Sequence, residues 1–298
     1  MIYITGATGK VGGYVYKLLS EKHDVAAVVR EPSGLKKEVV SDFSESSLKK
    51  IFRNAHAVIH LAGSVTYRKK ILEESNVELT RKIVNATPEN AKIIYSSSIS
   101  VYGKKPLEKP VTEQTPIHAD SDYSRSKYEG EKFVSSHPHS VILRIGAIYG
   151  PFEDYRIVLE KLKKGKMYII GDGHNLIPFV YAGDVAKVIL ASLKKRGTYN
   201  IVGNQLSQNE IYRIAADELG VSPPSKHVSF FTANSMAWIK QKISCMTGSR
   251  VKIAEEHVGI LYYDRPFNCN KAKRELGFSP INTEEGIRKV VRELQKSL

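Results

Sequence analysis

Two tyrosine–lysine pairs overlap in the ten residues YSRSKYEGEK, residues 123–132. Tyr123 is followed four positions later by Lys127, and Tyr128 is followed four positions later by Lys132. In a helix, either pair would lie on one face about one turn apart, so that the ammonium group could act on the phenol. A phenol has an ordinary pKa of about 10. A neighbouring positive charge favours the phenolate and moves this pKa toward the range in which a general base works.

Position along the chain favours the first pair. The 18 residues before it, GKKPLEKPVTEQTPIHAD (103–120), contain three prolines and predict a long loop. A loop of this length inside a compact domain is usually functional. Tyr128 lies about 140° further around the helix axis than Tyr123 and therefore points away from a ligand that contacts Tyr123. We interpret Tyr128 and Lys132 as a pair on the helix surface or on a dimer face.

The first half of the chain alternates short apolar runs with helical segments. Strands are predicted at residues 2–5, 25–29, 57–61, 92–96 and 141–145. Helices are predicted at residues 14–22, 46–54, 74–85 and 126–136, and in the second half near 153–164, 183–194 and 207–219, with a short strand at 198–202. Strands that are apolar throughout suit the buried interior of a parallel sheet covered by helices.

These patterns predict an α/β fold, a Rossmann-type doubly wound parallel sheet with helices on both faces. We expect residues 1–150 to form the larger domain, which contains both tyrosine–lysine pairs. We expect residues 151–298 to form a smaller, mixed substrate-binding lobe, part of which returns to the sheet. A chain of 298 residues is long enough for both.

One helix of the second half, over residues 232–246, has a special pattern. Its apolar residues recur at helical spacing, at Met236, Ile239, Ile243 and Met246, with Thr232 or Asn234 available as a cap. We predict that this face belongs to the core or forms a lid over a pocket. A membrane-surface helix is the less favoured alternative, because its polar side is only weakly basic.

The segment TGATGKVGG follows the first predicted strand and opens the first helix. Glycines in this position let the backbone approach a pyrophosphate held at the helix N-terminus. The spacing places Gly6, Gly9 and Gly12 three residues apart, and therefore differs from the Gly-x-Gly-x-x-Gly pattern of many dehydrogenases. The context predicts dinucleotide binding, so we expect residues 1–150 to be a dinucleotide-binding domain that also carries the catalytic residues.

The end of the second strand bears on which dinucleotide is bound. An acidic residue there holds the ribose hydroxyls of NAD, whereas an arginine accommodates the 2′-phosphate of NADP. The chain has Arg30 followed by Glu31. Because a guanidinium group binds phosphate through two donors and stacks on adenine, Arg30 favours NADP. Glu31 keeps NAD open as the alternative.

Composition narrows the class of protein. The net charge is +14, but the lysines and arginines are spread along the chain, so we expect a solvated basic surface and no nucleic-acid partner. The two cysteines, Cys245 and Cys269, lie far apart, and no metal site is predicted. No apolar run is long enough for a membrane span and the N-terminus does not resemble a signal peptide, so a cytoplasmic protein is expected.

Several motifs together resemble the extended short-chain dehydrogenase/reductase family, also described as NAD-dependent epimerases and dehydratases. They occur in the family's order and cover nearly the whole chain. They are TGATGKVG, HLAG (60–63), NVELT (76–80), SSSISVYG (96–103), YSRSKYEGE, LRIGAIYGP (143–151), GDGHNLIPFVYAGDVA (171–186) and KAKRELGFSP (271–280).

The resemblance implies a role for each matching residue. Tyr123 would be the acid/base, Lys127 would hold the phenolate and the ribose, Ser98 would hydrogen-bond the substrate oxygen, and Asn76 would help to order a proton-relay water. It also implies a set of residues around the nicotinamide dinucleotide. These are Gly6, Thr8, Gly9, Lys10, Val11, Gly12, Arg30, Asp42, Phe43, Leu61, Ala62, Gly63, Tyr123 and Lys127. Family members are often dimers, so a homodimer is possible.

The second half favours one activity within the family. Nucleotide-sugar epimerases usually have an asparagine where this chain has Ala147, and an arginine–aspartate pair where it has Ile177 and Pro178. The chain is more similar to the branch of 3β-hydroxysteroid dehydrogenases and dihydroflavonol-type reductases. We therefore predict hydride transfer between nicotinamide and a secondary alcohol or ketone, on a small substrate that is partly hydrophobic. Two alternatives remain: a nucleotide-sugar epimerase that retains NAD, and a non-catalytic member that binds NADP or RNA.

Overall fold

The computed structural model describes residues 1–247 and 255–296, with the side chains of 1–244 and 258–296. The strands are β1 (Ile2–Thr5), β2 (Val25–Val29), β3 (Glu38–Val40), β4 (Ala57–His60), β5 (Lys92–Ser98), β6 (Ser140–Ile145), β7 (Ala147–Tyr149), β8 (Ile169–Ile170), β9 (Leu176–Ile177), β10 (Phe179–Tyr181), β11 (Gly197–Ile201), β12 (Leu206–Ser207) and β13 (His227–Val228).

The helices alternate with these strands. They are α1 (Lys10–Ser20), α2 (Glu45–Phe52), α3 (Lys69–Leu72), α4 (Leu79–Ala86), α5 (Asp122–Ser135), α6 (Glu153–Lys163), α7 (Ala182–Ser192), α8 (Gln208–Leu219), α9 (Phe230–Thr247), α10 (Glu255–Tyr262), α11 (Asn270–Leu276) and α12 (Thr283–Gln295). A π-helical turn, Glu73–Glu78, joins α3 to α4, and a 3₁₀ turn, Ile99–Tyr102, follows β5.

Seven parallel strands form the central sheet, in the order β11-β6-β5-β4-β1-β2-β3. The order reverses at β1, which pairs with β4 on one side and β2 on the other. In such a sheet, ligands bind outside the carboxyl ends of the strands at the reversal point. The predicted α/β fold is confirmed, and the crevice beyond Thr5 and His60 is where a dinucleotide is expected.

The core lies on both faces of this sheet. Every residue of β2 and β4 is buried, as their apolar composition predicts for interior strands. On one face, α1 and α7 pack their apolar residues against the sheet, including Leu19 and Ile189. On the other face, α2 and α4 contribute Phe52 and Ile83. The strand ends that carry the candidate site are therefore held rigidly from both sides.

Two elements of the first half differ from the prediction. The strand β3 was not predicted, because its three residues EVV are half-buried or exposed and show no apolar run. The helix predicted from residue 74 begins at Lys69 instead, and its second turn widens into the π-helical turn. The structure therefore extends this helix by five residues toward the end of β4.

Part of the second half belongs to the central sheet. Strand β11 pairs with β6 in parallel, with Tyr199 opposite Leu143. The remaining strands of this half are short pairs: β7 with β10, β8 with β13 and β9 with β12. The division into lobes at residue 150 stays a prediction.

Helix α9 does not bury the face that its spacing suggested. Met236, Ile239 and Ile243 are 52%, 49% and 53% exposed, so the prediction that they belong to the core is wrong. The helix buries Ala237 and Ser244 instead. It also begins earlier than predicted, because the hydroxyl of Ser229 accepts a hydrogen bond from the Thr232 backbone N–H at 3.1 Å. The side chain of Met246 lies outside the described part of the chain.

Candidate active site

The glycine turn between β1 and α1 is closely packed. Gly6 has a φ of +75°, and a Cβ atom on it would lie 2.6 Å from the backbone nitrogen of Ala62. A Cβ atom on Gly12 would lie 2.0 Å from the carbonyl oxygen of Gly6. The Gly9 N–H donates to that same oxygen at 3.0 Å. A side chain at Gly6 would therefore push the turn away from the end of β4, and one at Gly12 would push α1 away from the turn.

The N-terminus of α1 fits a pyrophosphate. No side chain caps the helix at Gly9, and no acidic residue lies in its first turn. Backbone N–H groups and the helix dipole attract an anion at such an end. Thr8 and Lys10 are exposed there and Val11 is half-buried, while Lys10 forms an exposed ion pair with Asp154. The residues present are thus compatible with the predicted dinucleotide.

The end of β4 brings the glycine turn next to the catalytic candidates. The Leu61 N–H donates to the Thr5 carbonyl at 3.0 Å, which continues the pairing of β4 with β1. A Cβ atom on Gly63 would lie 2.9 Å from Asn76 Oδ1 and 3.8 Å from Lys127 Nζ. The HLAG segment therefore passes directly between the nucleotide turn and α5.

Lys127 is buried at the floor of the crevice. Its side chain points from α5 across β5, and Nζ lies 4.3 Å from the ring centroid of Tyr95. Burial lowers the pKa of Lys127 to about 7, while the negative charge of Glu131 acts in the opposite direction. An ammonium group that is this weakly solvated interacts strongly with a nearby phenolate, because little water screens it.

Asn76 ties three segments of the site together. Its amide nitrogen donates to the Ser64 carbonyl and to Ser126 Oγ, both at 3.0 Å, and its Oδ1 accepts from the Ser64 N–H at 2.7 Å. Ser126 in turn donates to the Tyr123 carbonyl at 2.8 Å. The side chain of Asn76 thus fixes the start of α5 against the loop after β4. Its predicted part in a proton relay is a separate matter and stays a prediction.

Ser98 and Tyr123 lie on two elements, β5 and α5, that pack against each other. Ser98 is the last residue of β5, and its Oγ accepts a hydrogen bond from the Ser100 N–H at 3.2 Å. Tyr123 is half-buried in the first turn of α5. Ser121 and Ser124 form a capping box that fixes this helix start, since each side chain bonds to the other residue's backbone N–H.

The structure separates the two tyrosine–lysine pairs. Lys132 is exposed and donates to Glu129 at 2.7 Å, and its Nζ lies 5.0 Å from the ring centroid of Tyr128. Lys127, in contrast, is 5% exposed and faces Asn76 and Gly63. Of the two lysines, Lys127 therefore lies beside the predicted cofactor crevice, and Lys132 lies on the surface.

A buried ion pair anchors α5 to the sheet. Arg144 on β6 donates to both carboxylate oxygens of Glu131, through Nε at 3.0 Å and Nη2 at 2.7 Å. Ser97 donates to the same carboxylate at 2.5 Å, and Arg144 Nη1 donates to the Tyr102 hydroxyl at 2.7 Å. We did not predict this pair from the sequence. The signal was an arginine inside the apolar strand VILRI, because a buried charge requires a partner.

A second buried chain runs behind the site. Thr5 Oγ1 lies 2.8 Å from His60 Nδ1, and His60 Nε2 lies 2.9 Å from Thr80 Oγ1. The Thr80 hydroxyl donates to the Asn76 carbonyl at 2.6 Å. Burial, together with the charge of Lys127, lowers the pKa of His60 to about 3. The ring is therefore neutral at physiological pH and joins β1 to the π-helical turn that carries Asn76.

The sequence model of the NAD-dependent epimerase/dehydratase family matches residues 2–202, more than half of the chain. The chain belongs to this family. The predicted relation to the extended short-chain dehydrogenases/reductases is thereby confirmed, and so is the prediction of a nicotinamide-dependent enzyme. The individual roles of Ser98, Tyr123, Lys127 and Asn76 stay predictions.

Relatives within the epimerase/dehydratase family include both activities considered above. A protein of Methanocaldococcus jannaschii described as a putative UDP-glucose 4-epimerase is 32% identical over 253 residues, which is 74% of this chain and 83% of that protein. Isoform 2 of the Arabidopsis thaliana 3β-hydroxysteroid-dehydrogenase/decarboxylase is 27% identical over 284 residues, 83% of this chain but 50% of the isoform.

Solved structures of the family share the fold. UDP-N-acetylglucosamine 4-epimerase from Bacillus cereus superposes with a TM-score of 0.77 at 22% identity, and the match covers 99% of each chain. At this identity the likeness bears on the fold alone.

A groove with two cationic side chains lies beyond the carboxyl ends of β2 and β3. It is open, has a volume of about 510 Å³ and is lined by Arg30, Val40, Ser41, Asp42, Ser44, Ser46, Ser47 and Lys50. The guanidinium carbon of Arg30 lies 5.8 Å from the ring centroid of Phe43, which has a φ of +56°. Hydrogen bonds from the backbone N–H and hydroxyl of Ser44 lower the pKa of Asp42. The groove therefore combines two cations, several hydroxyl donors and one carboxylate.

Proposed function

We propose that the protein is a nucleotide-sugar 4-epimerase that retains its nicotinamide dinucleotide through turnover. The observation that carries this proposal is the 32% identity with the M. jannaschii protein described as a putative UDP-glucose 4-epimerase. The crevice supports it, because Lys127, Asn76 and the HLAG segment meet beside the glycine turn. The sequence motifs alone favoured a ketone or alcohol oxidoreductase, with the epimerase as the alternative.

In this proposal, Tyr123 exchanges the proton of the sugar hydroxyl, and Ser98 donates a hydrogen bond to the same oxygen. The dinucleotide, when bound, supplies the hydride acceptor and donor. Lys127 lowers the pKa of the Tyr123 phenol through its positive charge. Because an epimerase returns the hydride to the substrate, the same three side chains serve oxidation and reduction in one turnover.

A second function, an NADPH-dependent ketone reductase, is favoured by the groove beyond β2 and β3. Arg30 and Lys50 both line it, together with four serine side chains that can donate hydrogen bonds to a phosphate. A 2′-phosphate fits this chemistry better than the two ribose hydroxyls of NAD do. Asp42 is the one acid of the groove and favours a neutral ligand beside it. We propose on this basis that NADP is bound at least as tightly as NAD.

The two functions are separated by measuring what happens to the cofactor. Purified protein would be denatured, and the released dinucleotide would be identified by mass spectrometry. The native protein would then be incubated with UDP-glucose, UDP-N-acetylglucosamine or UDP-glucuronate, without added cofactor. Interconversion of C4 epimers supports the epimerase. Steady NADPH oxidation with a panel of ketones, and no sugar interconversion, would overturn it and support the reductase.

Cofactor choice has its own test. Arg30→Ala should weaken NADPH binding by about 1.5–3 kcal/mol, the range for a hydrogen bond to a charged group, and leave NADH nearly unchanged. Arg53→Ala is the matched control, since Arg53 is exposed at the other end of α2 and does not line the groove. Equal losses of both dinucleotides would remove Arg30 from contact with a 2′-phosphate.

Three further expectations belong to this proposal. The substrate is a small molecule, and its nucleotide part would bind on the side of the crevice opposite the groove beyond β2 and β3. Residues 1–247 and 255–296 include no helix long and apolar enough to cross a membrane. A cytoplasmic location and a homodimer that uses α5 remain proposals that fractionation and sedimentation velocity would test.

A further inference from the structure

Helix α9 carries its large apolar side chains on the outside of the molecule. Phe231 is 80% exposed, and Met236, Trp238, Ile239 and Ile243 are each about half exposed. The side that faces the protein holds Phe230 at the start of the helix and, further along, the small residues Ala233, Ala237 and Ser244. Ala237 packs against Ile170 of β8 and Val258 of α10. The apolar face of this helix is therefore turned toward solvent and not toward the core.

This reversal calls for a partner. A surface helix of a globular protein normally turns its apolar stripe toward the core and its charges toward water. A contiguous apolar patch on the surface marks an interaction site. Because Phe230, Ala237 and Ser244 already occupy the inward positions of α9, the helix cannot rotate to bury its exposed apolar side chains without losing these packing contacts. The apolar face is thus a fixed feature of the fold.

The two charged residues of α9, Lys240 and Lys242, are both positive. Residues 219–254 contain five lysines and arginines and no aspartate or glutamate. At about 100° per residue, Lys240 and Lys242 fall on either side of the arc that holds Ile239 and Ile243. Both lysines are exposed, and Lys242 Nζ lies 5.6 Å from the Trp238 ring centroid.

We propose that α9 docks the enzyme on an anionic lipid bilayer. A helix with aromatic and aliphatic residues on one side and flanking lysines lies in the interface, with its apolar face in the headgroup region. Each lysine near an anionic leaflet adds to the binding. A symmetric contact between two copies of α9 fits less well, because a two-fold axis would bring the same acid-free segment against itself. The helix lies on the membrane and does not span it.

Docking by α9 has a consequence for the crevice. Tyr67 forms a hydrogen bond with the hydroxyl of Ser244, and Arg68 donates to the Ser244 carbonyl at 3.5 Å. These residues follow the HLAG segment, so α9 is attached to the loop beside the cofactor site. Glu73 and Glu74 are exposed on the helical turn after Arg68 and reduce the positive charge of that segment. The membrane contact is therefore assigned to α9 and not to this segment. An α9 held in a bilayer would keep the entrance of the crevice close to the lipid surface.

The test uses the only tryptophan of the chain, Trp238. The full chain would be mixed with vesicles of phosphatidylglycerol and phosphatidylcholine in equal parts, and with vesicles of phosphatidylcholine alone. We expect cosedimentation with the anionic vesicles, a blue shift of the Trp238 emission, and release by high salt. A blue shift that depends on protein concentration without vesicles would indicate contact between copies and would overturn the proposal.

Matched variants distinguish the effect of the α9 lysines on vesicle binding from the effect of the net charge of the protein. Lys240→Gln with Lys242→Gln should lower the partition coefficient about 30-fold, the equivalent of about 2 kcal/mol for two lysines. Lys194→Gln with Lys195→Gln removes the same charge beside the amino end of β11, away from α9, and should change it less than about threefold. Equal effects of the two pairs, or no binding of the unaltered chain to either vesicle, would contradict membrane docking.

Discussion

Replacing Arg144 by methionine tests how strongly α5 is held by its buried ion pair. The side chains of Arg144 and Glu131 are only 9% and 4% exposed. Arg144→Met keeps much of the apolar stem but leaves the Glu131 carboxylate buried, with the Ser97 hydroxyl as its remaining donor among the hydrogen bonds described. Breaking a buried pair in this way typically costs about 3–5 kcal/mol, because one charge stays uncompensated.

This loss should be large in a denaturation experiment. At about 2–4 °C per kcal/mol for a chain of this size class, the Tm would fall by roughly 6–20 °C. Urea unfolding followed by circular dichroism gives the free energy of unfolding directly. Arg156→Met is the matched control, since Arg156 pairs with Glu153 and Glu160 near the surface. Surface pairs contribute about 0–1 kcal/mol, so the control should shift little.

A double variant decides whether the uncompensated charge causes the loss. Glu131→Leu combined with Arg144→Met removes both charges, and Tyr102 still donates to Asn200 at 2.9 Å. The Ser97 hydroxyl is left without its acceptor, a cost of about 1–3 kcal/mol. The pKa of Lys127 should also fall further, because the Glu131 charge that raises it is gone. The double variant should therefore be more stable than Arg144→Met alone. If it is less stable, or if Arg144→Met loses under about 1 kcal/mol, the reasoning about the buried charge is wrong.

Three further predictions concern the site. Tyr123→Phe should lower kcat by about 10²–10⁴ while dinucleotide binding is retained. Tyr128→Phe is the control and should leave kcat within about twofold. If steady-state kinetics showed that Tyr128 is the essential residue, the assignment of the two pairs would be reversed. Gly12→Ala should abolish dinucleotide binding measured by calorimetry, because its Cβ would lie 2.0 Å from a backbone oxygen. Gly13→Ala is the control and should bind normally, since a Cβ there meets nothing within 4 Å. Burial lowers the pKa of His60 to about 3 in the folded protein, against about 6.5 in the unfolded chain. The unfolded chain therefore takes up a proton first, and the free energy of unfolding should fall as the pH drops from 6.5 toward 3. His60→Leu should lack this component in urea midpoints measured along that pH range, and an unchanged acid slope would show that another group is responsible.

The sheet was predictable where burial determines composition. Strands β2 and β4 are buried on both faces and consist of apolar runs, so their residues identify them. The edge strand β3 could not be found in this way, because one side of it faces solvent. The glycine turn was predictable for a different reason: Gly6 and Gly12 stand where a Cβ atom would collide with backbone, and no other residue fits.

Two features depended on contacts that sequence spacing does not encode. The periodicity of α9 predicted an apolar face correctly but not its direction, which is decided by the small residue Ala237 packing against Ile170 and Val258. The ion pair between Glu131 and Arg144 joins α5 to the following strand, β6. The sequence shows that each element carries a charge, but it does not show that the two charges lie close together. The candidate acid/base pair was easier to propose, because Tyr123 and Lys127 are linked by local helix geometry.

The buried chain through His60 has a fixed direction. The Thr80 hydroxyl has one hydrogen and gives it to the Asn76 carbonyl, so it must accept from the imidazole. His60 therefore carries its proton on Nε2, and Nδ1 accepts from the Thr5 hydroxyl. Three donors thus point the same way, from the strand before the glycine turn to the backbone of Asn76. In a nitrogen-15 NMR spectrum, Nε2 of His60 should have a pyrrole-like chemical shift and Nδ1 a pyridine-like one. The two shifts therefore report whether the hydrogen-bonded chain that holds the backbone of Asn76 is intact.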